Sequence, residues 1–190
     1  MHRCRMRGFS LVELLVSLVI VLILTAIALP SLTYSYRTYQ LNDSATRLAS
    51  MLKFTRFEAI RLNRLVPCQI VQNGTDWLVW ADSNKNGTAD PGEMQFLMTG
   101  GVATLLPAGA PPAPGPILGA IGANTLTVAS GANGSILFDH RGAVSPLVAY
   151  VMYIGSITDP EFGYRAVVLL PSGITQLWTA PNGGVWQRVS

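Results

Sequence analysis

The sequence predicts an α+β fold, with one long N-terminal helix packed on a head of antiparallel β-sheet. Three observations predict it. Up to about residue 64 the apolar residues form an unbroken run and then recur at helical spacing. From Val66 onward they alternate with a period of two. Gly, Pro and Asn punctuate the gaps between the alternating stretches, as short connections between strands require. At 190 residues there is room for one modest domain besides the apolar run. Four regions are expected: a basic leader over 1–8, an apolar helical segment over 9–30, an amphipathic continuation of that helix over 31–64, and a β-rich head over 65–190.

The apolar segment FSLVELLVSLVIVLILTAIAL carries a single charge, Glu13. At about 1.5 Å per residue it makes a helix of roughly 31 Å, the thickness of a bilayer's hydrocarbon core. Arg3, Arg5 and Arg7 precede it. Basic flanks stay in the cytoplasm, so a single-pass protein with an exported head is expected. A carboxylate in a membrane span costs about 2.5–3.5 kcal/mol at the bilayer centre and asks for a partner. A cut between Gly8 and Phe9 would create an α-amine four residues from Glu13, and a staggered neighbour could bring such an amine closer. The alternative is an ordinary secretory signal, with an A-x-A-like site at TAIA over 25–28. The embedded acid and the helical pattern that continues beyond the site argue against it.

Over 31–63, Leu41, Ala45, Leu48, Leu52, Thr55, Ala59 and Leu62 recur at spacings of four and three, one mostly apolar stripe for the head to cover. Pro30 removes a backbone donor and crowds the preceding turn, so a bend is expected there. Strands are expected over 66–72 and 75–81, flanking the turn signal Asn73-Gly74, and over 93–99 and 102–106. Five prolines make 107–123 a surface loop. Strands resume over 124–130, 135–139, 147–154, 164–170, 174–179 and 185–189.

The 13 basic and 10 acidic residues give a formal charge of +3, but three of the basic residues are the leader arginines. Without the leader the chain is formally neutral, and its pI does not point to nucleic acid. Arg37, Arg47, Lys53, Arg56, Arg61 and Arg64 face only Asp43 and Glu58 along the helix, whereas the head is acidic. Such a division suits side-by-side packing of copies, or equally two solvated faces. Without the leader Cys68 has no cysteine to pair with and fits a strand as a small apolar residue.

Asp82 to Glu93, DSNKNGTADPGE, has the spacing of a twelve-residue calcium loop. Asp82, Asn84 and Asn86 would offer oxygens at positions one, three and five, and Thr88 its carbonyl at seven. Asp90 would act at nine and Glu93 with both oxygens at twelve, with Gly87 at the sharp turn. A strand, not a helix pair, precedes the loop. The alternative is a polar hairpin loop in which Asp and Asn bond their own backbone. Enzymatic signals are absent: no nucleophile elbow, phosphate loop or zinc spacing occurs, and His140 in DHRG reads as part of a polar turn. Trp77, Trp80, Trp178 and Trp186 sit at strand positions, where core or interface roles are commoner than base stacking.

GFSLVELL resembles the cleavage and methylation signal of type IV pilins and type II secretion pseudopilins. That resemblance implies removal of the leader by prepilin peptidase after Gly8, an N-methylated Phe9, an assembly role for Glu13 and a helix-bending role for Pro30. TRFEAIRLNRLVPCQI, WLVWADSNKNGTADPGE and FDHRGAV resemble, in order and spacing, blocks of the GspH/FimT family of minor pseudopilins and pilins. A pilin-like fold is then expected, as is a structural role at or near the tip of a periplasmic pseudopilus supporting type II secretion. The alternative is a FimT-like minor pilin in type IV pilus assembly or DNA uptake. Expected partners are other pilin or pseudopilin subunits, prepilin peptidase and the bacterial inner membrane, with the head in the periplasm; calcium is the candidate cofactor. Some FimT-like members bind DNA through a GRxR motif, which would fall on Gly173. Here Ile174 and Gln176 stand where its arginines would be, so no DNA-binding residue is assigned and DNA is not expected as a partner.

Overall fold

Local rules account for the first half of the structure, a computed structural model that describes residues 9–99, 103–106, 117, 127–128 and 134–189. A single helix α1 runs Leu11–Leu62. The chain divides into two units, Met1–Tyr36 and Arg37–Ser190.

In the first unit the apolar side chains of α1 point outward with nothing packed on them, and the helix is long and apolar enough to cross a membrane. Its hydroxyls bond to the helix itself: Ser17 Oγ donates to the Glu13 carbonyl at 2.6 Å, and Thr25 Oγ1 to the Val21 and Leu22 carbonyls at 3.0 and 2.9 Å. Such back-bonding satisfies each hydroxyl within the helix itself. The helix continues through position 30, but the Pro30 side chain lies outside the described residues, and with it the expected bend.

In the second unit the expected stripe is the buried face of α1. Leu41, Leu48, Leu52, Thr55 and Ala59 are wholly inaccessible and Ala45 nearly so, with Ala49 and Met51 widening the stripe. Thr55 is tolerated there because its hydroxyl donates to the Met51 carbonyl at 2.9 Å. The helix ends on Asn63, which takes the left-handed φ of 49°. Arg64 N–H then reaches back to the Ala59 carbonyl and Asn63 N–H to the Ile60 carbonyl, both at 3.2 Å. This paired closure satisfies two carbonyls that a helix end leaves free.

Among the described residues eleven strands follow: β1 Val66–Asn73, β2 Asp76–Ala81, β3 Gln95–Met98, β4 Thr104–Leu106, β5 Thr127–Val128, β6 Gly134–Phe138, β7 Val144–Ser145, β8 Tyr150–Gly155, β9 Tyr164–Leu169, β10 Thr175–Ala180 and β11 Gln187–Arg188. The expected antiparallel sheet is present as two. One has the order β3-β2-β1-β6-β7, the other β11-β10-β9-β8-β4. Beside β4, β5 pairs in parallel with the start of β8, Thr127 opposite Tyr150. Two short elements went unforeseen, β7 and a 3-10 turn over Pro160–Phe162. The β1–β2 hairpin turns one residue later than expected. Asn73 still pairs with Asp76, leaving Gly74 and Thr75 as the loop, with Gly74 at φ 65°. A positive φ at the first loop residue alone is the pattern of a type II′ turn, where Gly carries no steric penalty.

One core lies between the α1 stripe and both sheets: Val66, Cys68, Ile70, Val79 and Phe138 from the first, Met152, Ile154, Val167 and Leu169 from the second. The other face of the second sheet is buried as well, where Val151, Tyr153, Ala166, Val168, Trp178 and Trp186 form a second cluster. Ile117, inside the proline-rich stretch expected as a surface loop, is fully buried in that cluster; the rest of 107–123 lies outside the described residues. Double-sided burial explains why β8 and β9 read as nearly continuous apolar runs.

Candidate functional site

Three places carry the residues the sequence singled out. At the N-terminal end Gly8 lies outside the described residues. Phe9 is exposed, and Glu13 follows on the first turn of α1, also exposed. Among the described residues the Glu13 carboxylate makes no hydrogen bond or ion pair. An ionised acid on a bare apolar helix is costly unless it finds a partner.

The second place is the loop between β2 and β3. It is closed at its base by Ala81 N–H to the Met94 carbonyl and Asp82 N–H to the Pro67 carbonyl, at 3.0 and 2.9 Å. Asp82 is buried: its Oδ1 accepts Asn86 N–H at 3.1 Å, and its Oδ2 accepts Gly87 N–H at 2.9 Å and Gln69 Nε2 at 3.2 Å. Glu93 closes the other side, Oε1 accepting Ser83 N–H at 2.8 Å and Oε2 accepting Asp90 N–H at 3.3 Å. Asn84 and Asn86 donate their side-chain amides to Asp90 Oδ2 at 2.7 and 2.6 Å, and these bonds hold the Asp90 carboxyl below the usual carboxylate range. Thr88 N–H donates to Asn86 Oδ1 at 2.9 Å. Gly87 has φ 77° at the sixth position, as the expected sharp turn requires. The donors are oxygens of the kind that calcium takes, three of them carboxylates. In this arrangement the bonds that the polar-loop alternative requires are all made, and among the described residues no three His, Cys, Asp or Glu side chains gather round one point.

The third place is a pair of turns. Asp139 to Gly142 joins β6 to β7. Asp139 Oδ1 accepts Arg141 N–H at 2.9 Å and Ala143 N–H at 2.8 Å. Burial pushes that carboxyl up, but the two amides and the charges of His140 and Arg141 outweigh it, and the net shift is downward. An acid held so by its own turn is structural, as the DHRG reading expected. The β9–β10 turn carries Gly173 at φ 77°, followed by exposed Ile174. Gln176 is buried, and its Oε1 accepts Trp178 Nε1–H at 3.2 Å. Its side chain is engaged within the sheet.

The remaining candidates are core. All four tryptophans are buried; Trp77 Nε1 donates to Thr104 Oγ1 at 2.9 Å, and Trp186 packs on Tyr153 with ring centroids 5.5 Å apart. Cys68 is buried in β1, and burial pushes its thiol up to about 12, against a smaller pull from the Thr55 hydroxyl. It stays a thiol at neutral pH and does not act as a nucleophile.

Comparison with known proteins decides the family. The family model described as "Type II transport protein GspH" matches residues 44–173, most of the head and the helix face beneath it. The chain belongs to the GspH family. A second model, "Prokaryotic N-terminal methylation motif", matches residues 3–29 and so covers Gly8, Phe9 and Glu13. A curated relative, "Pilin-like protein PilA1" of Thermus thermophilus, is 40% identical over 88 residues, 46% of this chain. The match spans 55% of that relative, about half its length. Two crystal structures of the type IV minor pilin FimU of Pseudomonas aeruginosa are also similar. One has a TM-score of 0.48 and 18% identity, covering 72% of this chain and 91% of that one; the other has 0.46 and 16%, covering 80% and 94%. As a GspH-family protein the chain has the pilin-like fold expected of it, with a long N-terminal helix whose second half packs on antiparallel sheet.

Proposed function

We propose that this GspH-family chain is a minor pseudopilin, a structural subunit at or near the tip of the periplasmic pseudopilus of a type II secretion system. The observation that carries the reading is the GspH match over 44–173, joined in one chain to the methylation motif over 3–29. In this reading prepilin peptidase removes residues 1–8 after Gly8, and Phe9 becomes the methylated N-terminus. Residues 9–30 hold the chain in the inner membrane with the leader cytoplasmic and the head, 65–190, periplasmic. Residues 31–64 carry the helix into the head, with Pro30 bending it at the membrane boundary.

Glu13 is the assembly residue. Its bare carboxylate on an apolar helix pairs with the new amine of a neighbouring subunit as the helices leave lipid for the filament. The chain acts by packing against other pilin or pseudopilin subunits and performs no catalysis. Calcium braces the loop through Asp82, Asn84, Asn86, Thr88, Asp90 and Glu93; the kind and order of the oxygens and the φ of Gly87 support this.

A second reading, a minor pilin of a type IV pilus, is favoured by the likeness to the Thermus pilin-like protein. Mass spectrometry of the membrane-extracted protein tests what the two share: an N-terminus at methylated Phe9 is expected, and one at Leu29 would sink both. Deletion of the gene separates them. Loss of secretion with pili intact supports the pseudopilin; loss of pili with secretion intact supports the pilin.

A further inference from the structure

The first sheet ends on β3, which among the described residues pairs only with β2. The bond from Ala81 N–H to the Met94 carbonyl fixes which backbone groups face β2. In an antiparallel ladder those groups alternate, so Phe96 and Met98 follow Met94 and face Val79 and Trp77. The N–H and C=O groups of Gln95 and Leu97 therefore point out of the sheet edge. An open edge of this kind is a template for another strand.

A groove runs between that edge and the flank of α1. One cleft, of about 230 Å³, lies between Gln40, Asp43 and Arg47 on the helix and residues 96–99. A second, of about 300 Å³, lies between Arg47 and Met51 on the helix and Met94 and Phe96. Arg47 and Phe96 line both, so the two clefts form one groove. From Gln40 to Met51 the helix rises roughly 16 Å, the length of about five residues of strand. The helix residues lining the two clefts are centred about five positions apart, roughly 7 Å. That is the spacing of alternate side chains on one face of a strand. The walls differ in kind. The second cleft is apolar, with Met51, Met94 and Phe96. The first holds Gln40, whose Oε1 is buried with no partner where it stands. A turn of that amide into the cleft lets it accept an N–H from an incoming chain and relieves the unmet bond.

We propose that this groove takes an extended segment of a different subunit of the same filament, added to β3 as a further strand. Main-chain hydrogen bonds to Gln95 and Leu97 hold it, and its inward side chains fill the two clefts. One inward residue is apolar, for the second cleft. The next on that face is small and polar, beside Gln40. Asp43 and Arg47 already match each other at 2.8 Å, so the groove favours an uncharged segment. A second copy is the poorer occupant. A strand of this length buries far less than the roughly 1,200–2,000 Å² of a stable pair, so edge pairing alone does not found a dimer. A subunit already held alongside through its apolar helix needs only the added strand. The proposal rests on the filament reading above.

The test has two arms. In detergent, the full chain is titrated with an end-capped peptide of alternating valine and threonine, and the backbone amides are followed by NMR. Shifts centred on Gln95 and Leu97 are expected, and none with the same peptide N-methylated throughout. Leu97→Pro removes an outward N–H that β2 does not use, so the fold should stand while binding is lost. Leu97→Ala should keep it. Gln40→Met removes the unmet acceptor, so the melting temperature should rise while binding weakens several-fold. No shifts at Gln95 and Leu97, or binding equally strong in Leu97→Pro and Gln40→Met, would overturn the strand site. In cells, a photoreactive benzoyl-phenylalanine at Gln95, in the chain expressed with its assembly system, should cross-link a different pilin or pseudopilin subunit. Leu97→Pro should abolish that product. Cross-links to a second copy alone, or none from chains that enter filaments, would overturn the choice of partner. Peptide binding by a chain that enters no filament would overturn the filament reading and leave the strand site standing.

Discussion

Glycine separates two kinds of constraint in this head. Gly173 and Gly183 have nearly the same left-handed φ, 77° and 67°. Around Gly183 a Cβ would meet nothing within 4 Å, whereas at Gly173 it would strike a backbone oxygen at 2.0 Å. Gly183→Ala should therefore cost about 1 kcal/mol, the conformational penalty alone. Gly173→Ala should cost about 3 kcal/mol or more, because a backbone carbonyl cannot swing away as a side chain can. Thermal unfolding of the two variants in detergent checks this; equal losses would mean that the turns are not locked together. Glu13 belongs beside them as a residue defined by what it lacks. Glu13→Ala should insert and be processed normally, since it removes a charge from lipid, yet incorporate poorly into filaments. Membrane fractionation and filament shearing measure the two separately, and normal incorporation would remove the pairing role.

Among the elements, the Asp82–Glu93 loop balances two states of similar parts. Its carboxylates are already satisfied by N–H groups, so calcium must offer more than the bonds it displaces. A ligand that binds only the folded chain raises its melting temperature by mass action. Titration calorimetry of the full chain in detergent should show heat with calcium and none after Asp82→Asn with Glu93→Gln. No heat, and no rise in melting temperature at millimolar calcium, would leave a self-contained polar loop. The helix is the other telling element. Its stripe from Leu41 to Ala59 emerged as the buried face, because side-chain spacing on a helix is fixed by local geometry.

For the whole molecule, charge decides which partners approach. Four basic residues, Lys85, Arg141, Arg165 and Arg188, stand against seven acids in the head. Each phosphate contact needs a cation to release a counterion. The one turn placed to supply a pair of arginines carries exposed Ile174 and a Gln176 sealed in the sheet. Weak or undetectable binding of double-stranded DNA is expected in a gel-shift titration at two salt concentrations. Micromolar binding that collapses with added salt would instead promote the DNA-uptake function.

The long apolar helical segment, the helix stripe, most strand positions and the family signal were legible in order along the chain, because each depends on neighbours three or four residues apart, on strict alternation, or on a fixed string such as GFSLVELL. The division of the strands into two sheets was not. Strands β8 and β9 are apolar on both faces, and alternation assigns a strand to a side only when one face meets water. The burial of Ile117 within a proline-rich stretch, the sealing of Gln176 against Trp178, and the slot that two glycines far apart in sequence open around Arg56 all depend on contacts between distant residues. No spacing rule encodes those contacts. They exist only once the sheets have closed over the helix.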